Sequence, residues 1–137
     1  MELQLSEINW WAVLASVVAG QVISTVWFVV LFGDPWAEEY GAKDKKQHTK
    51  EVPGYTYGVQ LLCTVLLVVS LAVVQQWLAV DTLGEGLMLA GLVIVGFTVA
   101  TGLPGQAFLK RWRVAAIALG SQAAMIVGIS IILATAT

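Results

Sequence analysis

The sequence predicts an all-α membrane protein in which four transmembrane helices form two repeated helical hairpins. Three observations predict this fold class. Of the 137 residues, 58% are hydrophobic and only 12% are charged, whereas an ordinary soluble domain carries about 25% charged residues. Four apolar runs are long enough to cross a bilayer, and every Lys and Arg lies between runs. We therefore expect a single four-helix transmembrane domain over residues 1–137, surrounded by the lipid bilayer.

The four apolar runs are expected to be membrane-spanning helices, and they cover approximately residues 11–32, 57–78, 87–109 and 114–134. At a rise of ~1.5 Å per residue, each run crosses a hydrocarbon core of ~30 Å. None of them contains Asp, Glu, Lys, Arg or His. Barrel strands would alternate apolar and polar residues over ~10 positions, and these runs do not alternate.

The distribution of positive charge predicts the orientation. All seven Lys and Arg residues lie in two loops, residues 33–56 and residues 110–113. Because Lys and Arg are enriched in cytoplasmic loops, both loops are expected in the cytoplasm and both termini outside it. We expect a multi-pass protein of the cell membrane, meaning the inner or plasma membrane.

The longer basic loop is expected to contain a short interfacial helix over residues 35–40. Asp34 is expected to cap its N-terminus, Pro35 suits the first helical position, and Gly41 suits the end. The highly charged residues 43–51 are expected to be mobile. They act either as a solvated stretch that fixes the topology or as a site for anionic lipid.

An internal repeat relates the two halves of the chain. A shift of 76 residues aligns identical residues of the two halves: Val17 with Val93, Gly20 with Gly96, Thr25 with Thr101, Phe32 with Phe108, and Trp36 with Trp112. The pattern indicates duplication of a two-helix unit, with a pseudo-twofold axis along the membrane normal.

Small residues recur every four positions on the first and fourth helices. The two stripes are Ala12, Ser16, Gly20 and Ser24 on the first helix, and Ala116, Gly120, Ala124 and Gly128 on the fourth. In lipid, small residues allow helix backbones to approach closely. We expect one stripe to pack within the bundle and the other to contact a second copy of the chain.

An expected kink or break of the third helix, near the end of the third run, is the sharpest local feature. Pro104 cannot donate a hydrogen bond to the carbonyl of Ala100, and Gly102 and Gly105 flank it. A candidate polar site is expected around this break in the cytoplasmic half of the membrane: Gln21, Thr25, Gln60, Thr101, Pro104 and Gln122. The alternative is that these uncharged side chains only join helices by hydrogen bonds.

The inventory of reactive residues argues against catalysis. The spans contain no carboxylate for proton-coupled antiport. A lone histidine, His48, and a lone cysteine, Cys63, exclude an intrachain bis-histidine haem, a disulfide and a multi-cysteine metal site. We expect no enzyme, no metal and no cofactor, and the net charge of −2 gives no indication of a nucleic-acid partner.

Several motifs resemble a family of small bacterial and archaeal membrane proteins catalogued as domain of unknown function 1761. They are Ile8-Asn9-Trp10-Trp11-Ala12 at the start of the first run, then Trp27, then Phe32-Gly33-Asp34-Pro35-Trp36. Members of that family carry an Asn-Trp pair and Phe-Gly-x-Pro-Trp at these places, and a Tyr where this chain has Phe28. The resemblance covers most of the chain and implies four spans, but it carries no activity.

Two functions fit these features. The first is a small non-enzymatic membrane protein that acts as a homo-oligomer or as an accessory subunit of a membrane complex. The alternative is an oligomeric channel or transporter for a neutral or weakly polar solute.

Overall fold

Four long helices make up most of the molecule in this computed structural model, which describes residues 2–136. They are α1 (Trp10–Leu31), α4 (Tyr55–Trp77), α5 (Leu83–Phe108) and α6 (Trp112–Thr135). Each is long and apolar enough to cross a membrane, and no strand occurs in the described residues. The predicted all-α membrane architecture is confirmed.

Two short helices connect α1 to α4, namely α2 (Gly33–Glu39) and α3 (Lys45–Glu51). The short helix expected over residues 35–40 is present, followed by Gly41 with a positive φ of 77°. Asp34 is not its N-cap: the Asp34 carboxylate instead accepts a hydrogen bond from the backbone N–H of Lys45 at 3.1 Å. The expected cap is wrong because this carboxylate connects α2 to α3.

Most of the charged stretch, residues 43–51, is helical, and its mobility stays a prediction. Asp44 caps α3 by accepting from the N–H of Gln47 at 2.9 Å. The Lys45 ammonium donates to the carbonyl of Val29 near the end of α1, at 3.3 Å. A local cap and a contact with α1 therefore give this charged segment a defined place, which charge density alone does not reveal.

Helix α6 is the centre of the bundle. It packs extensively on α1 and α5 and makes smaller contacts with α4 and α2, while α1 also packs on α4. Between α4 and α5 the described residues make only sparse contacts. A twofold axis relating the hairpins would make the α1–α6 and α4–α5 interfaces alike, and they differ. The repeated-hairpin arrangement therefore stays a prediction.

Both stripes of small residues are used inside the chain. Ser16 and Gly20 are buried, and a Cβ added at Gly20 would meet Thr64 of α4 and Ile129 of α6. On α6, the second stripe faces α1: Gly120 lies against Trp27, Gly128 lies against Ile23, and Ala124 between them is partly buried. The expectation that one stripe is left for a second copy is wrong at these glycines, because side chains of α1 fill the space above them.

Two of the long helices contain a π-helical segment, in which the turn is wider than in an α-helix. These segments are Val26–Leu31 in α1 and Ile94–Val99 in α5. Helix α5 does not break at Pro104, since residues Ala100–Phe108 are helical with Pro104 inside them; the expected alternative, a kink, stays a prediction. A proline disturbs the turn before it, through its ring and its missing N–H. The irregular segment of α5 accordingly lies N-terminal to Pro104.

The two ends of the bundle differ in charge. The basic end consists of residues 33–56 and 110–113, and the acidic end carries the remaining carboxylates, Glu2, Glu7, Asp81 and Glu85. At the basic end, the Arg113 guanidinium lies 3.3 Å from the Glu38 carboxylate and 3.6 Å from that of Glu39. The two basic loops therefore meet.

Candidate functional site

A cavity of about 520 Å³ lies between α4, α5 and α6. Its volume is within the ~300–1,000 Å³ of typical small-ligand sites. The floor comes from α6 and one wall from α5, whereas α4 contributes a single lining residue, Leu67. The cavity therefore lies beside the sparse α4–α5 contact.

The polar lining consists of four uncharged side chains, Thr98, Thr101, Gln106 and Gln122. The Thr101 hydroxyl donates to the Phe97 carbonyl one turn earlier in its own helix. Gln122 is exposed, and within residues 2–136 its carboxamide makes no hydrogen bond. The cavity therefore contains unused amide hydrogen-bonding capacity.

Gln106 has a buried oxygen that nothing satisfies. Its Oε1 is inaccessible to solvent and has no hydrogen-bond partner among the described residues. A buried amide oxygen without a partner costs about 1–3 kcal/mol, judged from protein mutational data. A rotation of the Gln106 side chain would be needed to turn this oxygen into the cavity, where a hydroxyl or amide of a bound molecule would remove that cost.

The other lining residues are apolar or are glycine. At the deep end of the cavity, which is the end farthest from the basic loops, the lining is apolar only. Val93, Ile126 and Leu67 lie there, near the middles of their helices, while Gln106 and Ala115 lie toward the basic end. The polar lining therefore runs from Gln106 at the basic end to Thr98 and Gln122 near the middles of their helices, and only the end beyond them is apolar.

Two local features of α5 shape this wall. Phe97 and Thr98 belong to the π-helical segment, whose wider turn changes the direction of side chains relative to a regular helix. Gly102 lies against Leu119 of α6, and a Cβ added there would be 2.7 Å from the Leu119 Cδ2. The glycine thus permits close approach of α5 to the floor.

A second polar group joins α1 to α4 at a different interface. The Thr64 hydroxyl donates to Oε1 of Gln21 at 2.8 Å, and it lies 2.9 Å from the Gln60 carbonyl of its own helix. The Gln60 carboxamide N–H donates to the Ser24 hydroxyl at 3.4 Å and to the Thr64 hydroxyl at 3.3 Å. These side chains satisfy one another, which is the pattern expected of interhelical packing.

The structure divides the expected polar site into three parts. Thr101 and Gln122 line the cavity, and Gln21 and Gln60 belong to the α1–α4 network. Thr25 and Pro104 are exposed and contribute to neither. The expected single site is therefore not assembled.

Two cavity residues are missing from the expected site, Thr98 and Gln106. Thr98 precedes Thr101 by three residues, a spacing that places these two on one helical face. Gln106 follows Thr101 by five residues, roughly 140° around a helix, so periodicity would have found Thr98 but not Gln106.

No ionisable side chain lines the cavity. Among the described residues, no group of three His, Cys, Asp or Glu side chains is placed to hold a metal ion. A smaller cavity of about 160 Å³ at the acidic end lies beside Asn9, Gln75 and Leu133, and it shares no lining residue with the first. The chemistry that the main cavity offers is hydrogen bonding to a neutral group within an apolar space.

Comparison with known proteins identified one relationship. A family model described as "Protein of unknown function (DUF1761)" matches residues 11–134. Searches of curated proteins and of solved structures found no match.

Proposed function

The chain belongs to the DUF1761 family, and we propose that it is a membrane-embedded binding protein for an uncharged, largely apolar molecule. The binding site is the cavity between α4, α5 and α6. The proposal retains one property of the predicted channel or transporter, namely the binding of a neutral or weakly polar solute. Transport itself stays a prediction, since the two cavities share no lining residue.

The observation that supports the proposal is the pair of unsatisfied carboxamides in an apolar cavity. Gln106 Oε1 is buried without a partner, and Gln122 makes no hydrogen bond in residues 2–136. Polar groups inside a membrane are costly and are often retained for function. A neutral ligand group that donates or accepts hydrogen bonds would satisfy either of them, whereas a charged group would find no counter-ion in the lining.

Orientation belongs to the same proposal. We place the basic end in the cytoplasm, both termini outside it, and the protein in the cell membrane. The ion pairs of Arg113 with Glu38 and Glu39 support a shared side for the two basic loops. The cavity then opens in the cytoplasmic half of the bilayer.

A role as a homo-oligomer or accessory subunit stays a prediction. Its sequence argument was an unused stripe of small residues, and Trp27 and Ile23 of the same chain fill the space above Gly120 and Gly128. The absence of enzymatic activity likewise stays a prediction.

The test compares the binding of three compounds to the purified protein in detergent, and native mass spectrometry measures the bound fraction. Decanol, decanamide and decanoate share a chain length but differ in headgroup charge and hydrogen bonding. We expect saturable binding of the two neutral compounds and weaker binding of decanoate. Equal binding of all three would overturn the proposal.

Substitution of the carboxamides provides the matched comparison. The double variant Gln106→Leu with Gln122→Leu should weaken decanamide binding about three- to twentyfold, because a hydrogen bond inside a membrane contributes about 0.6–1.7 kcal/mol. Gln60→Leu removes a carboxamide outside the cavity and should leave the affinity unchanged. Equal affinity in the double variant would also contradict the proposal.

A further inference from the structure

We propose, on the basis of the binding function above, that the ligand is a membrane lipid with a small uncharged headgroup. It enters the cavity sideways from the bilayer, between α4 and α5. Its headgroup lies toward the basic end, and its chain extends toward the bilayer centre.

The route follows from the packing of the helices. Helix α6 packs extensively on α1 and α5, and α1 packs on α4, but α4 and α5 have only sparse contacts in the described part of the chain. Leu67 is the sole cavity residue from α4, and Phe97 of the opposite wall is 62% exposed. Phe97 and Leu67 thus flank an opening that faces lipid once the spans are in a bilayer.

The direction of the ligand follows from the order of residues along the cavity. Val93 and Gln106 are thirteen positions apart on α5, which corresponds to roughly 20 Å along a helix. Val93, Leu67 and Ile126 surround the deep end, while Gln106 lies at the end nearest the basic loops. A lipid in the adjoining leaflet has the same polarity, so it enters without inverting.

The headgroup charge follows from the cations at the basic end. Arg113 pairs with Glu38 and Glu39, and Arg111 lies over the Tyr40 ring at 5.8 Å. None of these side chains, nor Lys110, lines the cavity. A phosphate headgroup would therefore lack a charged partner there, whereas a hydroxyl or amide can pair with Gln106. Gln122 lies roughly 10 Å deeper, at the middle of α6.

A water-soluble solute fits less well than a lipid. The deep end of the cavity presents Val93, Leu67 and Ile126, which offer no hydrogen bond. A small polar solute would leave this apolar end uncovered, whereas a hydrocarbon chain would fill it.

The experiment uses the full chain in phosphatidylcholine vesicles with two photoreactive monoacylglycerols. One carries a diazirine at the end of its chain and the other on its glycerol. We expect the chain probe to label peptides containing Leu67, Val93 or Ile126, and the glycerol probe to label those containing Gln106 or Ala115. Labelling by the two probes without this order would overturn the inference.

Variants at the opening test the route. Leu67→Trp should reduce labelling by both probes several-fold, whereas Leu66→Trp, on an exposed neighbour outside the cavity lining, should not. Phe97→Ala widens the opening and should increase the labelling rate, so the inference remains testable if Leu67→Trp fails to fold. Unchanged labelling in Phe97→Ala and in folded Leu67→Trp would contradict lateral entry.

A competition arm separates the two sources of ligand. Excess monooleoylglycerol in the vesicles should suppress labelling, whereas excess glycerol in the buffer should not. Equal suppression by glycerol would show an aqueous ligand and overturn this inference while leaving the binding function intact. If decanamide did not bind to the protein in detergent, the result would instead contradict the proposed binding function itself.

Discussion

The indole of Trp27 joins α1 to α6 through the backbone carbonyl of Ile117, to which its Nε1 donates a hydrogen bond of 2.8 Å. The ring also lies against Gly120, and Trp27 belongs to the π-helical segment at the end of α1. The structure shows packing against α6, with a glycine on α6 making space for the ring.

Gly120→Ala should therefore destabilise the protein. An added Cβ would lie 2.7 Å from Cζ2 of Trp27, and overpacking of this kind costs about 1–3 kcal/mol. Thermal unfolding in detergent measures the loss. Gly91→Ala is the matched control, because a Cβ there meets no atom within 4 Å. A loss in Gly91→Ala as large as that in Gly120→Ala would contradict the role of the Trp27 contact.

Trp27→Phe tests the hydrogen bond separately from the packing. The variant keeps an aromatic ring but removes the Nε1 donor to Ile117, so we expect a loss of about 0.6–1.7 kcal/mol in unfolding free energy. Trp112→Phe serves for comparison, because Trp112 is exposed and its indole makes no hydrogen bond in residues 2–136. The two variants should differ in reversible unfolding by SDS titration, and equal stabilities would argue against the bond.

Thr64→Val should weaken the α1–α4 interface. The substitution keeps the shape of the side chain but removes the hydroxyl that donates to Gln21 at 2.8 Å and accepts from Gln60 at 3.3 Å. Thr64 is buried, so the loss is expected near 1–2 kcal/mol. Thr98→Val alters an equivalent side chain that lines the cavity instead, and it should leave the unfolding midpoint nearly unchanged.

The fold could be predicted from sequence largely because the membrane imposes it. Uninterrupted apolar runs must be helical in lipid, where every backbone polar group needs an internal partner. The π-helical segments at Val26–Leu31 and Ile94–Val99 could not be placed, since they lie in uniformly apolar stretches and depend on neighbouring helices. The helix α3 was also not predicted, and its contact with Val29 joins residues that lie 16 positions apart in the sequence.

The candidate site was only half predictable, for a related reason. Thr101 and Gln122 do line one cavity, but Gln21 and Gln60 face each other's helices instead. Hydropathy gives the depth of each residue, yet it gives little information about helix rotation when every face is apolar. The packing of α6 between α1 and α5, which decides these rotations, is a tertiary property.

Cysteine accessibility should establish the orientation. In a Cys63→Ala background, Gln47→Cys places one thiol on α3 at the basic end and Glu2→Cys places one at the acidic end. A membrane-impermeant maleimide added to intact cells should label Glu2→Cys alone. Both should react after permeabilisation, which controls for reactivity, and the opposite pattern in intact cells would reverse the proposed topology.

Asp81 predicts a pH dependence at the acidic end. A side-chain hydrogen bond to Glu85, together with repulsion between the two carboxylates, raises the pKa of Asp81 above its ordinary value of 3.8. Protonated Asp81 is thus favoured by folding, so its contribution to stability is complete below pH 3.8 and is lost as the pH rises through the folded-state pKa.

Asp81→Asn, which stays neutral and can still donate to Glu85, should raise the melting temperature at pH 7 relative to the unmodified protein. The difference should vanish below pH 3.8, and Glu7→Gln, a neutralisation elsewhere at the same end, should show no such convergence. A constant difference between Asp81→Asn and the unmodified protein from pH 3 to pH 7 would show that the Asp81–Glu85 interaction does not control stability there.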